Sequence, residues 1–325
     1  MVCITIAGCR EHKAPFTATI LCYNAENLFD TIHKRGLNDS DFTPLGAYHY
    51  GTSIYNQRIE HLATVIASVS DNKHHSFPAL VGLAEVENNT VLQSVIAHPL
   101  LSGNNYQFII THGNDKRGMN VALVYDTTLF HVFNAKELPV LKPNGKDTLN
   151  TRNILKVSGT MSGDTFTVFV NHWPSHRSDS NGTTGRLLAA TTLMKELEQP
   201  ALKNTNFIVL GDFNCNPDDS LLKNYLHLND SGTNNGLKNL CTGLYAHGKG
   251  TEYYRGNWNF LDQVWVRAGL QTHTAFGGLK VINSKFLTTK QGAPKRAFLG
   301  NKYTRGYSDH YPVLLQLTQK EKPAP

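Results

Sequence analysis

The residues best suited to chemistry fall where short apolar runs end. Asn24 and Glu26 follow "ATILCY", Glu85 follows "ALVGLA", His172 follows "TFTVFVN", and Asp212 and Asn214 follow "NFIVLG". Asp262 interrupts "WNFLDQVWV", and Asp309 with His310 opens "DHYPVLLQL". Neighbours in a strand point to opposite faces, so an adjacent polar pair such as Asp309 and His310 belongs at a strand end, overhanging a cleft. A lone Asp after Gly is usually a turn former and a lone His a satisfied core residue. Those readings explain one run end at a time. A shared cleft explains all of them together.

Residue type then narrows the chemistry. Glu85 and Asp309, with Glu26 and the amide oxygen of Asn24, are hard oxygen donors that suit Mg²⁺ or Mn²⁺ better than zinc. The five cysteines (Cys3, Cys9, Cys22, Cys215, Cys241) have no CxxC spacing, which argues against a zinc knuckle or a disulfide framework. His172 and His310 are left for proton handling, and a carboxylate beside a histidine would fix its tautomer and raise its basicity. Asp262 is the candidate for that carboxylate. No Ser or Cys stands as a nucleophile beside a base, so attack by water on phosphorus fits, with the metal and the hydrogen-bond donors stabilising a phosphorane-like state.

The elements that must position these groups are readable as patterns. Runs rich in Val, Ile, Phe and Tyr predict strands at 18–24, 79–86, 106–112, 120–126, 165–173, 206–214, 260–266 and 309–317. Apolar residues at three- and four-residue spacing predict helices over 54–70, 89–101 and 185–199. Strands alternate with helices and no Pro- or Ser-rich linker intervenes. The reading is therefore one domain over 17–320, preceded by an N-terminal segment, 1–16. Residues 228–258 and 267–305 are polar and Gly- and Asn-rich and read as long loops of the kind that carry function.

Composition excludes some classes. With 40% hydrophobic and 17% charged residues the chain is of ordinary globular type, and no apolar run is long enough to span a bilayer. The net charge of +6 suits a polyanionic or phosphorylated partner. The "IAGC" ending at Cys9 has the form of a bacterial lipoprotein cleavage site, although no positively charged start precedes it. The expectation is export or lipid anchoring through Cys9, with a cytoplasmic protein as the alternative.

In order along the chain, "YNAENLFD", "GLAEVEN", "NHWPSH", "GDFN", "NFLDQVW" and "YSDHYPV" resemble the motifs of the endonuclease/exonuclease/phosphatase superfamily, in details closest to Bacteroidetes-type members. The resemblance implies a DNase I-like α/β fold: a four-layer sandwich of two packed mixed sheets flanked by helices. It implies a phosphoesterase site at one end, dependent on Mg²⁺ or Mn²⁺. Glu85 would be the main metal ligand, with Asn24 and Asp309 near the ion and Glu26 less firmly included. His310, paired with Asp262, would activate water or polarise the phosphate. His172 would be the second catalytic imidazole, and Asp212 and Asn214 would position the nucleophile and the phosphate oxygens. One departure concerns His172: members with a histidine in the "NHW" region pair it with a glutamate, whereas "RGMNVALVYD" offers no acid before Asp126.

The substrate expected is DNA or RNA, cut by hydrolysis. The alternatives are a phosphatase or phospholipase C-like enzyme acting on a small phosphoester or lipid headgroup, and an inactive binding scaffold. Arg117, Arg177 and Arg186, with Lys116 and His176, are the candidate phosphate contacts, weighed against a solvated charged loop. Tyr253, Tyr254, Arg255 and Trp258 could stack bases or pack a loop, with packing the default. A monomer is expected.

Overall fold

The strand β1 (Thr17–Leu28) is followed by α1 (Thr52–Ser68) and then β2 (Leu80–Val86), which lies parallel to β1. The same unit recurs later in the chain, where β7 (Asp164–His172), α3 (Thr184–Leu197) and β8 (Asn206–Asp212) again place two strands in parallel. In both units the strands end at the same edge of their sheet, which is why residues far apart in sequence arrive together. The computed structural model describes residues 17–70, 77–175, 184–202, 205–226, 228, 237–267 and 274–319. Cys9, His176 and Arg177 lie outside them.

Between these units come α2 (Asn89–Ile96), β3 (Tyr106–Ile110), β4 (Asn120–Asp126), β5 (His131–Leu138) and β6 (Ile154–Met161). After β8 follow β9 (Leu237–Asn239), α4 (Thr242–Ala246), β10 (Glu252–Tyr254), β11 (Asn257–Asn259) and β12 (Asp262–Arg267). The chain closes with β13 (Thr274–Val281), β14 (Phe298–Leu299), β15 (Lys302–Tyr303) and β16 (Val313–Gln319). Two six-stranded mixed sheets result, in the orders β13-β16-β1-β2-β4-β3 and β5-β6-β7-β8-β12-β9, with β10-β11 and β14-β15 as two-stranded ribbons.

Strict alternation builds the layers. Ile20 and Cys22 of β1 join Ile208 and Leu210 of β8 in the core between the sheets, while Leu21 and Tyr23 face outward against Ile59, Leu62 and Ile66 of α1 and Val91 and Val95 of α2. Phe207 and Val209 face outward on the second sheet, where they pack with Ala189, Leu193 and Leu197 of α3. The order of layers is helix, sheet, sheet, helix, as the motif resemblance implied. The sheets meet closely at Gly82, where a Cβ would fall 2.0 Å from Leu210 Cδ1. Any larger residue there would require the Leu210 side chain to move.

The predicted helices are all present, within a few residues of their expected ends. Two regions read as loops contain strands instead. Residues 267–305 include β13, which pairs along its length with β16; Gly277 and Gly278 interrupt its apolar pattern at the point where the register shifts between Phe276 and Leu279. Residues 228–258 include β9 and β10. The strand β5 carries no strong apolar signature because it is an edge strand exposed over much of its length, whereas β6 is largely buried but Lys156, Ser158 and Gly159 interrupt its apolar run.

Candidate active site

The sheet register aligns three of the candidate residues in one row. His172 pairs with Asp212 across β7 and β8, and Asp212 pairs with Asp262 across β8 and β12. The last antiparallel strand, β16, enters from the same end, and this brings Asp309 and His310 alongside. Gly211 makes the row possible: its φ is +138°, and a Cβ would lie 2.0 Å from the Asn171 carbonyl oxygen.

The buried row is tied together by hydrogen bonds. His310 donates Nδ1–H to Asp262 Oδ2 at 2.6 Å, and both side chains are almost wholly removed from solvent. Asp212 Oδ2 accepts from Asn24 Nδ2 (3.0 Å), and its Oδ1 accepts the Asn214 backbone N–H (2.9 Å). Asn24 Oδ1 accepts the Glu26 N–H at 2.9 Å. Ser308 couples the two strands that meet here: its hydroxyl donates to Asn24 O (2.7 Å) and accepts the His310 N–H (3.0 Å). His172 Nε2 lies 3.6 Å from Asp212 Oδ2 and 3.7 Å from Glu85 Oε1. Its Nδ1 is buried with no hydrogen-bond partner, so the side of the ring where a glutamate was missing from the sequence carries no bonded acid.

Charge separates the roles. Burial alone would lower the pKa of His310, but the Asp262 carboxylate overrides it, helped by Asp309 and Asp212, and holds the imidazole well above its usual range. Burial pushes Asp212 up to about 7, with Asp262 and Glu85 adding to the shift and His310 opposing it. Burial also drives His172 well below its usual value, reinforced by the charges of Arg152, Arg117 and His310. The site therefore presents a cationic His310, a neutral His172 and an Asp212 poised near neutrality.

This row adjoins a polar cleft of about 810 Å³, to whose lining Glu85, Asn214 and Asp309 contribute. Glu85 Oε2 accepts the Asn27 N–H at 2.8 Å. Asp309 Oδ2 accepts from Arg296 Nη2 at 3.0 Å. Glu26, Glu85 and Asn214 all have positive φ, at 48°, 59° and 51°. Such backbone costs about 1–3 kcal/mol per residue and persists where the surroundings over-determine it, commonly at active sites.

Glu26 is placed differently from the others. Its carboxylate accepts the backbone N–H groups of Ala297 (2.6 Å) and Phe298 (3.2 Å), so it fastens the loop that carries Arg296. Arg117 does line the cleft, held by Asp115 through Nε (3.2 Å) and Nη2 (2.8 Å). Arg186 is buried on α3 and is not among the cleft residues.

Two further arginines belong to the cleft and were not singled out by sequence. Arg152 donates to the carbonyls of His172 (3.2 Å) and Trp173 (2.7 Å) and to Asp115 (3.1 Å), locking the end of β7 to the loop that carries Arg117. Arg296 is the other. Its one legible signal was the basic stretch "PKRAF" at the end of a long loop. Arg58 of α1 is structural: it is buried and donates to the carbonyls of Ala25, Glu26 and Tyr307, joining β1 to the "SDH" segment.

Glu85 and Asp309 face the cleft with hard oxygen atoms, the donor type that suits a divalent cation. Asp212, Asp262 and His310 also lie close enough together to hold an ion. The proton that His310 Nδ1 shares with Asp262 makes that nitrogen a donor and not a ligand atom.

The chain belongs to the Endonuclease/Exonuclease/phosphatase family, whose pattern it matches over residues 19–319. No curated protein sequence matches it. Among solved structures it resembles the endonuclease/exonuclease/phosphatase protein of Bacteroides vulgatus, with 14% identity, a TM-score of 0.57, and 94% of this chain and 100% of that one covered. D. rerio TDP2 in complex with a single-strand DNA product is similar at 15% identity and a TM-score of 0.57, covering 93% and 98%. The human Nocturnin catalytic domain with a bound sulfate anion is similar at 15% identity and a TM-score of 0.57, covering 94% of each chain. The protein is thus a phosphoester hydrolase of this family. No helix among the described residues is long and apolar enough to cross a membrane.

Proposed function

We propose that the protein is a divalent-metal-dependent nuclease, hydrolysing phosphodiester bonds of DNA or RNA within one domain over residues 17–320. The observation that carries this reading is the row His172, Asp212, Asp262 with His310, standing beside a cleft lined by Lys116, Arg117, Arg152 and Arg296. The lining is mixed, with Glu85, Asp115, Asp218, Asp219, Glu252 and Asp309 beside these cations, and it is the four cations that suit the phosphates of a polyanion; the TDP2 relative holds a single-strand DNA product.

In this reading Glu85 and Asp309 would hold the cation, with Asn24 beside them. A cation bound there would supply Lewis-acid stabilisation of charge on the phosphate oxygens. Asp212, poised near 7, takes the proton of the attacking water, and Asn214 orients the phosphate through its amide. His310, held cationic by Asp262, donates to a phosphate oxygen as negative charge develops. His172, neutral, donates or accepts one hydrogen bond in the same cleft.

One observation favours a lipid-headgroup substrate instead. Leu45 is 98% exposed and Leu299 65% exposed, on segments that pack together through Tyr48 and Phe298. A panel of supercoiled plasmid, single-stranded DNA, RNA, bis-p-nitrophenyl phosphate and sphingomyelin vesicles, each with Mg²⁺, separates the readings. Turnover of nucleic acid well above that of vesicles is expected; turnover confined to vesicles or to monoesters would overturn the nuclease assignment.

A further inference from the structure

A second cavity of about 380 Å³ lies behind the ribbon formed by β10 and β11. The ribbon has two faces because its cross-strand pairs alternate: Glu252 pairs with Asn259, and Tyr253 pairs with Trp258. Glu252, Tyr254 and Asn259 turn to the catalytic cleft, whereas Trp258 turns to the second cavity. The two spaces are therefore separated by one ribbon. They are also linked through the backbone, since Tyr311, the neighbour of His310, lines the second cavity and donates its N–H to Thr251 O at 2.7 Å.

The lining of this cavity has a definite chemistry. Trp258 and Tyr311 stack with ring centroids 5.9 Å apart at 20°, and Leu279 supplies aliphatic surface. The Tyr311 hydroxyl is engaged by Thr288 and Gly292 and the residue is 2% exposed, so it backs Trp258, whose ring is the aromatic surface a ligand can reach. Lys249 and Lys280 are exposed at the same cavity, and among the described residues no Asp or Glu contributes to it. The volume falls within the range of small-ligand sites, roughly 300–1,000 Å³. Aromatic faces accept any planar base without regard to its sequence, and lysines recognise phosphate as point charges.

We propose that this cavity is an accessory binding site for a planar aromatic ring carrying a phosphate, which is the chemistry of a nucleotide. The ring packs against Trp258 and the phosphate meets Lys249 and Lys280. Two sources share this chemistry: a free mononucleotide, or a nucleotide of a strand whose scissile bond occupies the cleft beyond the ribbon. The site stands apart from the hydrolytic reading, because occupancy is measured without turnover.

The test uses tryptophan emission. Of the three tryptophans, Trp173 and Trp265 are fully buried, which leaves Trp258 as the one a ligand can reach. Adenosine monophosphate added to the full chain is expected to change the emission saturably, and Trp258→Phe should remove the change. Lys249→Ala and Lys280→Ala, both at exposed positions, should each raise the Kd about tenfold, the worth of one charge-assisted contact. Adenosine alone and inorganic phosphate alone should bind more weakly than the nucleotide.

An oligonucleotide series identifies the source. Affinity that rises with length and depends on the two lysines assigns the site to a bound strand. Tight binding of the mononucleotide, with oligonucleotides insensitive to the lysines, assigns it to a free nucleotide. No emission change at millimolar nucleotide, or a change of equal affinity in both lysine variants, overturns the proposal.

Discussion

His310 and Asp262 form a 2.6 Å hydrogen bond in which neither side chain is more than 8% exposed. The bond orients the imidazole and, through the Asp262 charge, keeps it protonated where burial alone would neutralise it. If the cation is the working form, activity falls as pH rises through the elevated pKa of His310. Removing the charge with Asp262→Asn should move that alkaline limb to lower pH and cut kcat by about 10²–10⁴-fold, a range typical of lost acid-base assistance. His310→Gln should lower kcat similarly, and the double variant should lose little more, because the pair acts as a unit. An alkaline limb unmoved in Asp262→Asn would remove the imidazolium from the mechanism.

Glu85 and Glu26 were both expected at the metal, and the structure gives them different surroundings. Glu85 faces the cleft, while both oxygens of Glu26 are occupied by the N–H groups of Ala297 and Phe298. Glu85→Gln should therefore weaken Mn²⁺ binding at least tenfold by calorimetry, since an amide is a poorer ligand than a carboxylate. Glu26→Gln should leave Mn²⁺ affinity within about twofold and act on KM, because it loosens the loop that presents Arg296. Equal loss of Mn²⁺ affinity in the two variants would restore Glu26 to the ligand set.

Glu26 also predicts a pH dependence of stability. Burial, with the Asp309 charge adding to it, raises its pKa from 4.5 to about 8, against the partial relief of Arg58. The folded state therefore holds a proton between about 4.5 and 8 that the unfolded state has released, and stability falls as pH rises across that window. Asp212 acts in the same direction between 3.8 and about 7. Thermal unfolding in the presence of a chelator should show a Tm that declines from pH 5 to pH 8. Glu26→Gln, which cannot ionise, should make the decline shallower. A Tm that rises over this interval in the parent protein would show that other groups dominate.

Much of the site was legible because parallel βαβ units deliver their C-terminal strand ends to one edge, and each such end breaks an apolar run with a polar residue. Asn24, Glu85, His172 and Asp212 are all found that way. The same rule cannot reveal Arg152. A buried arginine serving backbone carbonyls looks in sequence like any charged loop residue, and only the fold shows that it faces His172, Trp173 and Asp115. The strand β13 was hidden for a local reason: two glycines remove its side-chain alternation, while its pairing with β16 supplies the stability that propensity does not.

Arg152 carries a prediction about folding. It is 6% exposed and shares Asp115 with Arg117, burial lowering its own pKa while the Asp115 carboxylate opposes that shift. Arg152→Ala removes a donor from the His172 carbonyl, leaves the Trp173 carbonyl with Asn214 Nδ2 (2.9 Å), and leaves Asp115 with Arg117 as its one remaining cationic partner. The expected loss is about 3–5 kcal/mol, the usual cost of breaking a buried pair. Urea unfolding would measure it, and a loss below about 1 kcal/mol would mean that the loop relaxes freely to water.

The last prediction concerns Arg296 and Asp309. The guanidinium donates to Asp309 Oδ2 at 3.0 Å, while its backbone is fixed by Glu26 and by the Tyr307 and Ser308 N–H groups on the Lys295 carbonyl. A carboxylate engaged by an arginine is less available to a cation, so with Asp309 as a ligand, as proposed above, the two would compete for it. A guanidinium also has five donors, leaving several to engage a phosphate in the cleft. Arg296→Ala should then have opposed effects: a lower Mg²⁺ concentration for half activity, with tighter Mn²⁺ binding by calorimetry, and a KM raised about tenfold or more through the lost phosphate contact. Arg296→Lys keeps the charge but not the fork, and should restore part of the KM and little of the competition at Asp309. If Arg296→Ala raises the Mg²⁺ requirement instead, the arginine supports the geometry of the metal site and does not compete with it.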